Sequence, residues 1–453
     1  MHKLYLSLLL ASFTYAQTVN FEEVLNLTLQ NNKDLKNQKS NIEINRLNSK
    51  AVESISYGKL ALNEEVSRTN HSGYVFNSKL SSREATFNDF GALDFTGPAT
   101  ANVIPDNLNN PDDRNNFTTK ITYDIPLFTG FKLSNQKDIL KLQKKANEVK
   151  YNKDKKELAY EVLKAYNNAV VAKDYIQTIK KAKEAITYVV KSASAFHNEG
   201  LVTKIDVKQA LVYELNINSQ LIQAENNFDL SIAYLKYLTS NDTITDVENL
   251  KNINFTILDK KNTYNVALEN RDEIKMQNIN INAMKKNVDM ANSSYYPSIY
   301  SHLEYGFNDN KLTLDDEKDY YMAMIGLNYT LFDNTRDIEK QKSKIELAKA
   351  SLDFEKLKDA IKLELEKAHL DLKAKNKILK EKIAATNLAK EILEQSTLMY
   401  KNHLISMTNL LEQEANLRKN ETQLIMAKYE KSLSLAKLAL VLGQDFSNEN
   451  KGN

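Results

Sequence analysis

The chain of 453 residues has no cysteine and no tryptophan, and only 10 glycines and 5 prolines. Without cysteine there is no disulfide, no thiolate metal site and no acylated thiol behind an export signal, so an exported form is not expected to be a lipoprotein. So few helix-breaking residues argue for long uninterrupted helices. Without tryptophan, an aromatic belt at a membrane surface has to be built from the 23 tyrosines and 16 phenylalanines. Beyond the N-terminus, nothing approaches the ~18 consecutive apolar residues of a transmembrane helix. An excess of one charge is missing too. Lys and Arg number 61 against 59 Asp and Glu, a net charge of +2 that calls for no nucleic acid.

Catalytic patterns are also missing. The six histidines, His2, His71, His197, His302, His369 and His403, stand far apart and form no His-x-x-x-His pair. There is no nucleophile elbow, no phosphate-binding loop and no dinucleotide-binding glycine run. The expectation is therefore a protein that is not an enzyme, with no catalytic residue, no cofactor and no metal site. The acidic group Asp309, Asp315, Asp316 and Glu317 lacks the glycine and the terminal Glu of a calcium loop, and reads as a solvated loop.

What is present comes twice. Asn31-Asn32-Lys33-Asp34-Leu35 returns 239 residues on as Asn270-Arg271-Asp272-Glu273-Ile274. Tyr123 to Phe128 returns 204 on as Leu327 to Phe332, and His197 to Thr203 returns 203 on as Tyr400 to Ser406. Collinear landmarks are a tandem duplication, with one insertion between the first two landmarks of the first copy. The predicted organisation is a signal peptide over 1–16, a first repeat over 17–240, a linker over 241–261, a second repeat over 262–443 and a tail over 444–453. The signal reading rests on His2 and Lys3, the apolar run Leu4 to Leu10, and Thr14-Tyr15-Ala16 as a cleavage site.

Each repeat contains long helices. From Leu158, apolar residues step by four and three through Val162, Ala165, Ala169, Ala172, Ile176, Ile179, Ile186, Val190 and Ala193, broken once by Lys183. That is a sustained heptad seam, and its alanines let helices approach closely. Ile361, Leu365, Ala368 and Leu372 form a noisier seam in the second copy. The predicted helices cover 21–56, 131–199 and 204–239, then 262–294, 335–402 and 407–442. The long ones would span roughly 100 Å and the short ones roughly 50 Å, so two short helices end to end match one long one. Three chains of four such columns would make a twelve-column cylinder.

Between the first short helix and the long helix of each copy the apolar period falls to two. Phe117, Ile121, Tyr123, Ile125 and Leu127 alternate with Thr118, Lys120, Thr122 and Asp124. In the second copy Tyr321, Ala323, Ile325 and Leu327 keep the parity, and Ile299, Leu303, Tyr305 and Phe307 alternate with Ser298, His302, Glu304 and Asn308. Leu60, Leu62 and Val66 are a weaker version, with Glu64 breaking the face. Strand pairs are thus expected over 57–128 and 296–332, joined by a long loop from Ser81 to Asn116 and a short one from Asn308 to Asp319. Strands of this size cross an outer membrane when tilted. One chain supplies four, too few to close a barrel, and a trimer supplies twelve.

Taken together, these features resemble the TolC-like family of outer-membrane efflux proteins over nearly the whole mature chain. The carrying residues are Phe21-Glu22-Glu23-Val24-Leu25 leading to Asn31, the strand entry Tyr296-Pro297, the strand exit Pro126-Leu127-Phe128-Thr129-Gly130, and Gly200-Leu201-Val202-Thr203 followed by Asp206. The chain departs from its own repeat in two places. Gly58 stands where the second copy has Pro297, and His403 stands where the first has Gly200, which predicts a differently built second turn.

The resemblance implies a mainly α fold with a β-barrel portion: a homotrimer with a twelve-stranded barrel in outer-membrane lipid and a long periplasmic helical tunnel. It implies docking to a periplasmic adaptor (membrane fusion) protein that recruits an inner-membrane pump, in tripartite efflux or type I secretion. Drug, metal and protein cargo all fit such a conduit. By resemblance, the adaptor-docking turns comprise Gly200, Leu201, Val202 and Thr203 in one copy and Leu404, Ile405 and Ser406 in the other. Leu201, Val202, Leu404 and Ile405 would be exposed, and Thr203 and Ser406 are also N-cap residues by type. A pore constriction is implied at Asp206, Asn409 and Glu412, with Gln209 matching Glu412 in the first copy. The alternative reading is a structural or adhesive coiled-coil protein of the cell envelope, for which the repeated alternating strands have no use.

Overall fold

A computed structural model describes residues 17–251 and 260–445. The expected signal peptide, part of the expected linker and most of the expected tail lie outside the described residues. In chain order the elements are β1 (Gln17–Val19), α1 (Phe21–Asn31), α2 (Lys33–Ile55), β2 (Lys59–Thr69), α3 (Ser72–Ser81), α4 (Asp106–Asn109), β3 (Arg114–Thr129), α5 (Lys132–Asn198) and α6 (Lys204–Thr239). The second copy follows with β4 (Ile244–Val247), α7 (Lys260–Asn270), α8 (Asp272–Asn292), β5 (Ser298–Asp309), β6 (Asp319–Asn328), α9 (Asn334–Lys401) and α10 (Met407–Val441).

The described chain divides into two compact units, and α2, α5, α8 and α9 each contribute residues to both. The first unit, residues 17–42, 146–251, 260–278 and 352–445, is built around the predicted seams. Val162, Ala165 and Ala169 of α5 are buried with Phe21 and Val24 of α1, Leu235 of α6 and Ala436 and Ala439 of α10. Ile361, Leu365, Ala368 and Leu372 of α9 are buried with Ile274, Leu438 and Leu442. A short parallel ribbon completes this core: Val19 of β1 pairs with Val247 of β4, and both are buried. Lys173 anchors β4 by reaching Asp246 Oδ2 and the Val247 carbonyl, each at 2.7 Å.

The helix expected over 21–56 is two helices with a break at Asn32, and that over 262–294 is two with a break at Arg271. Both breaks fall in the repeated landmark, and both receive the end of a short helix. In the first copy Asn32 Oδ1 accepts the Leu35 amide at 2.9 Å, capping α2, while Asn31 Nδ2 donates to the Thr239 carbonyl at 2.7 Å where α6 ends. In the second copy the chain leaves α10 through Gly443, which lies two residues past Val441 and has a φ of +76°. A Cβ on Gly443 would sit 2.7 Å from the Arg271 amide nitrogen, so only glycine fits there. Arg271 is buried and pairs with Glu273 at 3.1 Å and Glu364 at 2.6 Å. Beside it Lys156 meets Asp272 at 2.7 Å and the Gly443 carbonyl at 3.0 Å. Burial opposes ionisation of Glu273 and Glu364, but the Arg271 guanidinium outweighs it and holds both carboxyls below their ordinary range.

The second unit, residues 43–145 and 279–351, contains an antiparallel sheet in the order β2-β3-β5-β6. Its register places Leu62 opposite Ile121, Ile121 opposite Tyr305 and Tyr305 opposite Tyr321, so the apolar positions share one face. Glu64, which breaks that face, lies opposite Thr119 and accepts its hydroxyl. The first connection differs from expectation. β2 ends at Thr69, and the segment before β3 begins with α3 rather than with strand. Arg114 at the start of β3 ties it back by donating to Ser78 Oγ at 3.0 Å, Ser82 Oγ at 2.7 Å and Glu84 at 2.5 Å. Glu84 and Asp309 in turn share Lys318, at 2.5 and 2.7 Å. The solvated-loop expectation therefore fails for Asp309. It is buried at the end of β5, and Lys318 compensates its charge.

Candidate functional site

Two groups of residues could act: the turns joining long to short helices, and the polar face of the sheet. In the first turn α5 ends with the Gly200 amide donating to the His197 carbonyl at 3.0 Å and the Leu201 amide to the Phe196 carbonyl at 2.8 Å. In the second, the His403 amide donates to Tyr400 at 2.9 Å and the Leu404 amide to Met399 at 2.9 Å. Gly200 has φ +74° and His403 φ +60°. The expectation of a differently built second turn is thus corrected. Both helices close on a left-handed residue with the same pair of bonds. His403 is held there by its ring, which packs on Phe196 with centroids 5.1 Å apart.

Each short helix then starts on its expected cap. Thr203 Oγ1 accepts the Asp206 amide at 3.3 Å, and Asp206 Oδ2 accepts the Thr203 amide at 2.8 Å and its hydroxyl at 2.7 Å. Ser406 Oγ accepts the Asn409 amide at 3.2 Å. The two turns come together over one core, in which Ala193, Ala210, Tyr400, Met407 and Leu410 are buried. Leu201 and Leu404 are 56% and 68% exposed, in line with the exposure expected of them. Val202 and Ile405 are not. Both are half-buried, and Ile405 packs on that core. Ile205, 66% exposed as the second residue of α6, is an apolar surface residue that the turn motif alone did not single out.

The three residues assigned to a constriction differ in their surroundings. Asp206 is occupied as a helix cap. It also lies close enough to Tyr400 that burial, then the Asp206 charge, raises the phenol's pKa. Asn409 and Glu412 are exposed on α10, and Gln209 accepts the Thr408 hydroxyl at 3.3 Å. Two residues beyond Glu412, Glu414 is buried. It accepts the Tyr213 hydroxyl from α6 and pairs with Arg418 at 3.1 Å, whose guanidinium stands 5.4 Å over the Tyr213 ring. Burial first, then the neighbouring carboxylate, pushes the Tyr213 pKa well above that of a free phenol. Sequence reasoning missed this tie between α6 and α10. Its only local signal was the Glu-Arg spacing of four on one helix.

On the sheet, register gathers the polar positions of three strands. Lys120 Nζ on β3 lies 3.1 Å from Glu304 Oε2 on β5, and the Tyr320 hydroxyl on β6 donates to Glu304 Oε1 at 2.7 Å. His302 Nδ1 lies 2.6 Å from Asp124 Oδ1, and His302 Nε2 lies 3.4 Å from Glu304 Oε2. One face of the sheet is therefore apolar and the other charged and hydrogen-bonded, the arrangement of a strand set with lipid on one side and water on the other.

A sequence profile of a protein family described as "outer membrane efflux protein" matches residues 24–240 and 263–444. Among curated protein sequences none matches the chain. The backbone is similar to crystal structures of CusC, with a TM-score of 0.78 and 13% identity over 94% of this chain and 92% of that one. It is similar to the Campylobacter jejuni CmeC outer membrane channel, with a TM-score of 0.75 and 16% identity over 96% and 87% of the two chains. It is also similar to the Vibrio cholerae outer membrane protein VceC, with a TM-score of 0.74 and 14% identity over 94% and 96%. At such identities the likeness is one of fold.

Proposed function

This chain belongs to the outer membrane efflux protein family, and from that premise we propose that it is a passive, trimeric export conduit docked to a periplasmic adaptor and an inner-membrane pump. It is an outer-membrane protein, mainly helical, with a strand contribution and a periplasmic helical part. The observation that carries the trimer is the four-stranded sheet itself. β2 and β6 are its edges, one from each repeat, and each offers an unpaired row of backbone donors and acceptors. Hydrocarbon does not tolerate such edges, and pairing β6 of one chain with β2 of the next closes twelve strands. Opposite edges meeting in turn is a heterologous contact, which closes into a ring.

The helical unit has the same asymmetry. Its exposed apolar stripes lie on α6, at Leu211, Leu215, Ile222 and Leu230, and on α9, at Leu352, Leu363, Leu370, Leu388 and Ile392. Among the described residues of α5 and α10, only Tyr188 and Met426 are large exposed hydrophobics. A second copy of the chain is the occupant that would cover both stripes at once.

In this reading Leu201 and Leu404 meet the adaptor, with Gly200, Val202, Thr203, Ile405 and Ser406 shaping the turns. The half-buried positions of Val202 and Ile405 support a scaffolding part for them rather than a contact. Leu201→Asp with Leu404→Asp is expected to abolish export while trimer levels stay normal. Unchanged efflux in that double variant would contradict the docking assignment. At the entrance, Glu412 is the free carboxylate, Asn409 carries no charge and Asp206 is committed to its cap. Three Glu412 side chains around an axis would favour cations. Glu412→Ala should raise single-channel conductance and weaken block by trivalent cations. Identical conductance and block in variant and wild type would remove Glu412 from the pore.

A further inference from the structure

We infer that His302 makes the charge selectivity of the barrel lumen proton-dependent. This rests on the conduit reading, in which the polar face of the sheet lines the pore. On that face β2 contributes Lys59 opposite Asp124 and Glu65 opposite Thr118. β3 contributes Lys120 and Asp124, and β5 contributes His302 and Glu304. β6 contributes no charge there: Met322 lies opposite Glu304, Met324 opposite His302, and Tyr320 donates to Glu304. Arg114, at the end of β3, is neutralised by Glu84 at 2.5 Å.

The permanent charges on the face are thus Lys59 and Lys120 against Glu65, Asp124 and Glu304. With a neutral imidazole each chain presents one net negative charge to the lumen, and a trimer three. With His302 protonated the face is neutral. The groups touching the ring are the Asp124 carboxylate at 2.6 Å and Glu304 at 3.4 Å, so proton uptake meets two acceptors already in place. A histidine side chain gains its charge between about pH 5 and pH 8, a range in which none of the other named groups ordinarily changes. A band of one sign on the wall of a narrow water-filled barrel sets the ratio of cation to anion passage.

The test is the reversal potential of purified protein in planar bilayers under a potassium chloride gradient, at pH 8 and pH 5. Wild type should favour potassium over chloride at pH 8, and the permeability ratio should fall at least twofold at pH 5. His302→Asn should keep its pH 8 ratio at pH 5. His71→Asn, which removes an exposed histidine just beyond the end of β2, should retain the full shift. Glu304→Gln offers a second route: with one negative charge removed, its ratio at pH 8 should fall to about the wild-type value at pH 5, and it should fall further at pH 5. A wild-type ratio unchanged between the two pH values would overturn the inference, as would a His302→Asn channel that shifts like wild type. Failure of the wild type to form channels at all would instead overturn the conduit reading beneath it.

Discussion

His403 takes a backbone conformation that ordinarily falls to glycine. A side chain in the left-handed region costs roughly 1–2 kcal/mol, and here the packing of its ring on Phe196 offsets part of that. Gly200 has no Cβ neighbour within 4 Å, so the only obstacle to a side chain there is the φ of +74°. Gly200→Ala should therefore destabilise the turn by about 1 kcal/mol, seen as faster amide exchange at Leu201. Unchanged exchange would mean the turn tolerates the strain. A sharper contrast lies two residues apart on α10. Arg418→Ala strands the buried Glu414 carboxylate and should cost on the order of 2–3 kcal/mol in thermal unfolding followed by circular dichroism. Glu412→Ala should stay within about 0.5 kcal/mol of wild type. Equal effects from the two would contradict the different surroundings assigned to them. At this scale the sequence disclosed residue types suited to a role, such as Thr203 and Ser406 as caps. It did not disclose which carboxylate is buried, because Glu412 and Glu414 look alike until α6 brings Tyr213 across.

Among the elements, heptad seams were legible because burial repeats with the helix period, and Val162, Ala169, Ile179 and Ile361 are buried as the spacing requires. The ribbon of β1 and β4 was not. Strands of three and four residues carry no alternation, and their partners lie more than two hundred residues apart. The helix break at the repeated landmark has a consequence in acid. Glu273 and Glu364 have folded-state pKa values below their ordinary ones, so their contribution to stability is complete above pH ~4.5 and is lost as pH falls through the lowered values. Arg271→Gln removes the charge that outweighs burial at both carboxylates, so it should lower stability at neutral pH and flatten the loss on acidification. A melting series showing the same pH dependence in both proteins would contradict the network's role.

The exposed stripes give a second prediction at this scale. The two turns share one core, so a threefold axis along the helices keeps equal distances from the turns at equal height. Leu215 lies twelve residues past Thr203 and Ile392 ten before Asn402. Leu215→Cys with Ile392→Cys should form disulfides between chains under mild oxidation, in a background with no other cysteine. Leu215→Cys alone should not, because a heterologous contact never places a residue against itself. Cross-linking by the single variant would indicate a different packing.

For the molecule as a whole, the tandem duplication was legible from landmarks whose spacing reports shared geometry: two helix breaks, two strand exits and two turns. Its closure was legible only as a count, four strands per chain against the twelve of a trimer; which strands form the open edges was not, because that depends on the pairing order. The open edges of β2 and β6 and the exposed stripes of α6 and α9 give the account its central claim, that the working unit is three chains around one pore. The most direct test is the native mass of the folded protein extracted from outer membranes in detergent, read with the detergent subtracted. The expected result is three copies of a 51.8 kDa chain, less any cleaved signal. A folded, membrane-inserted species with the mass of one chain would contradict it.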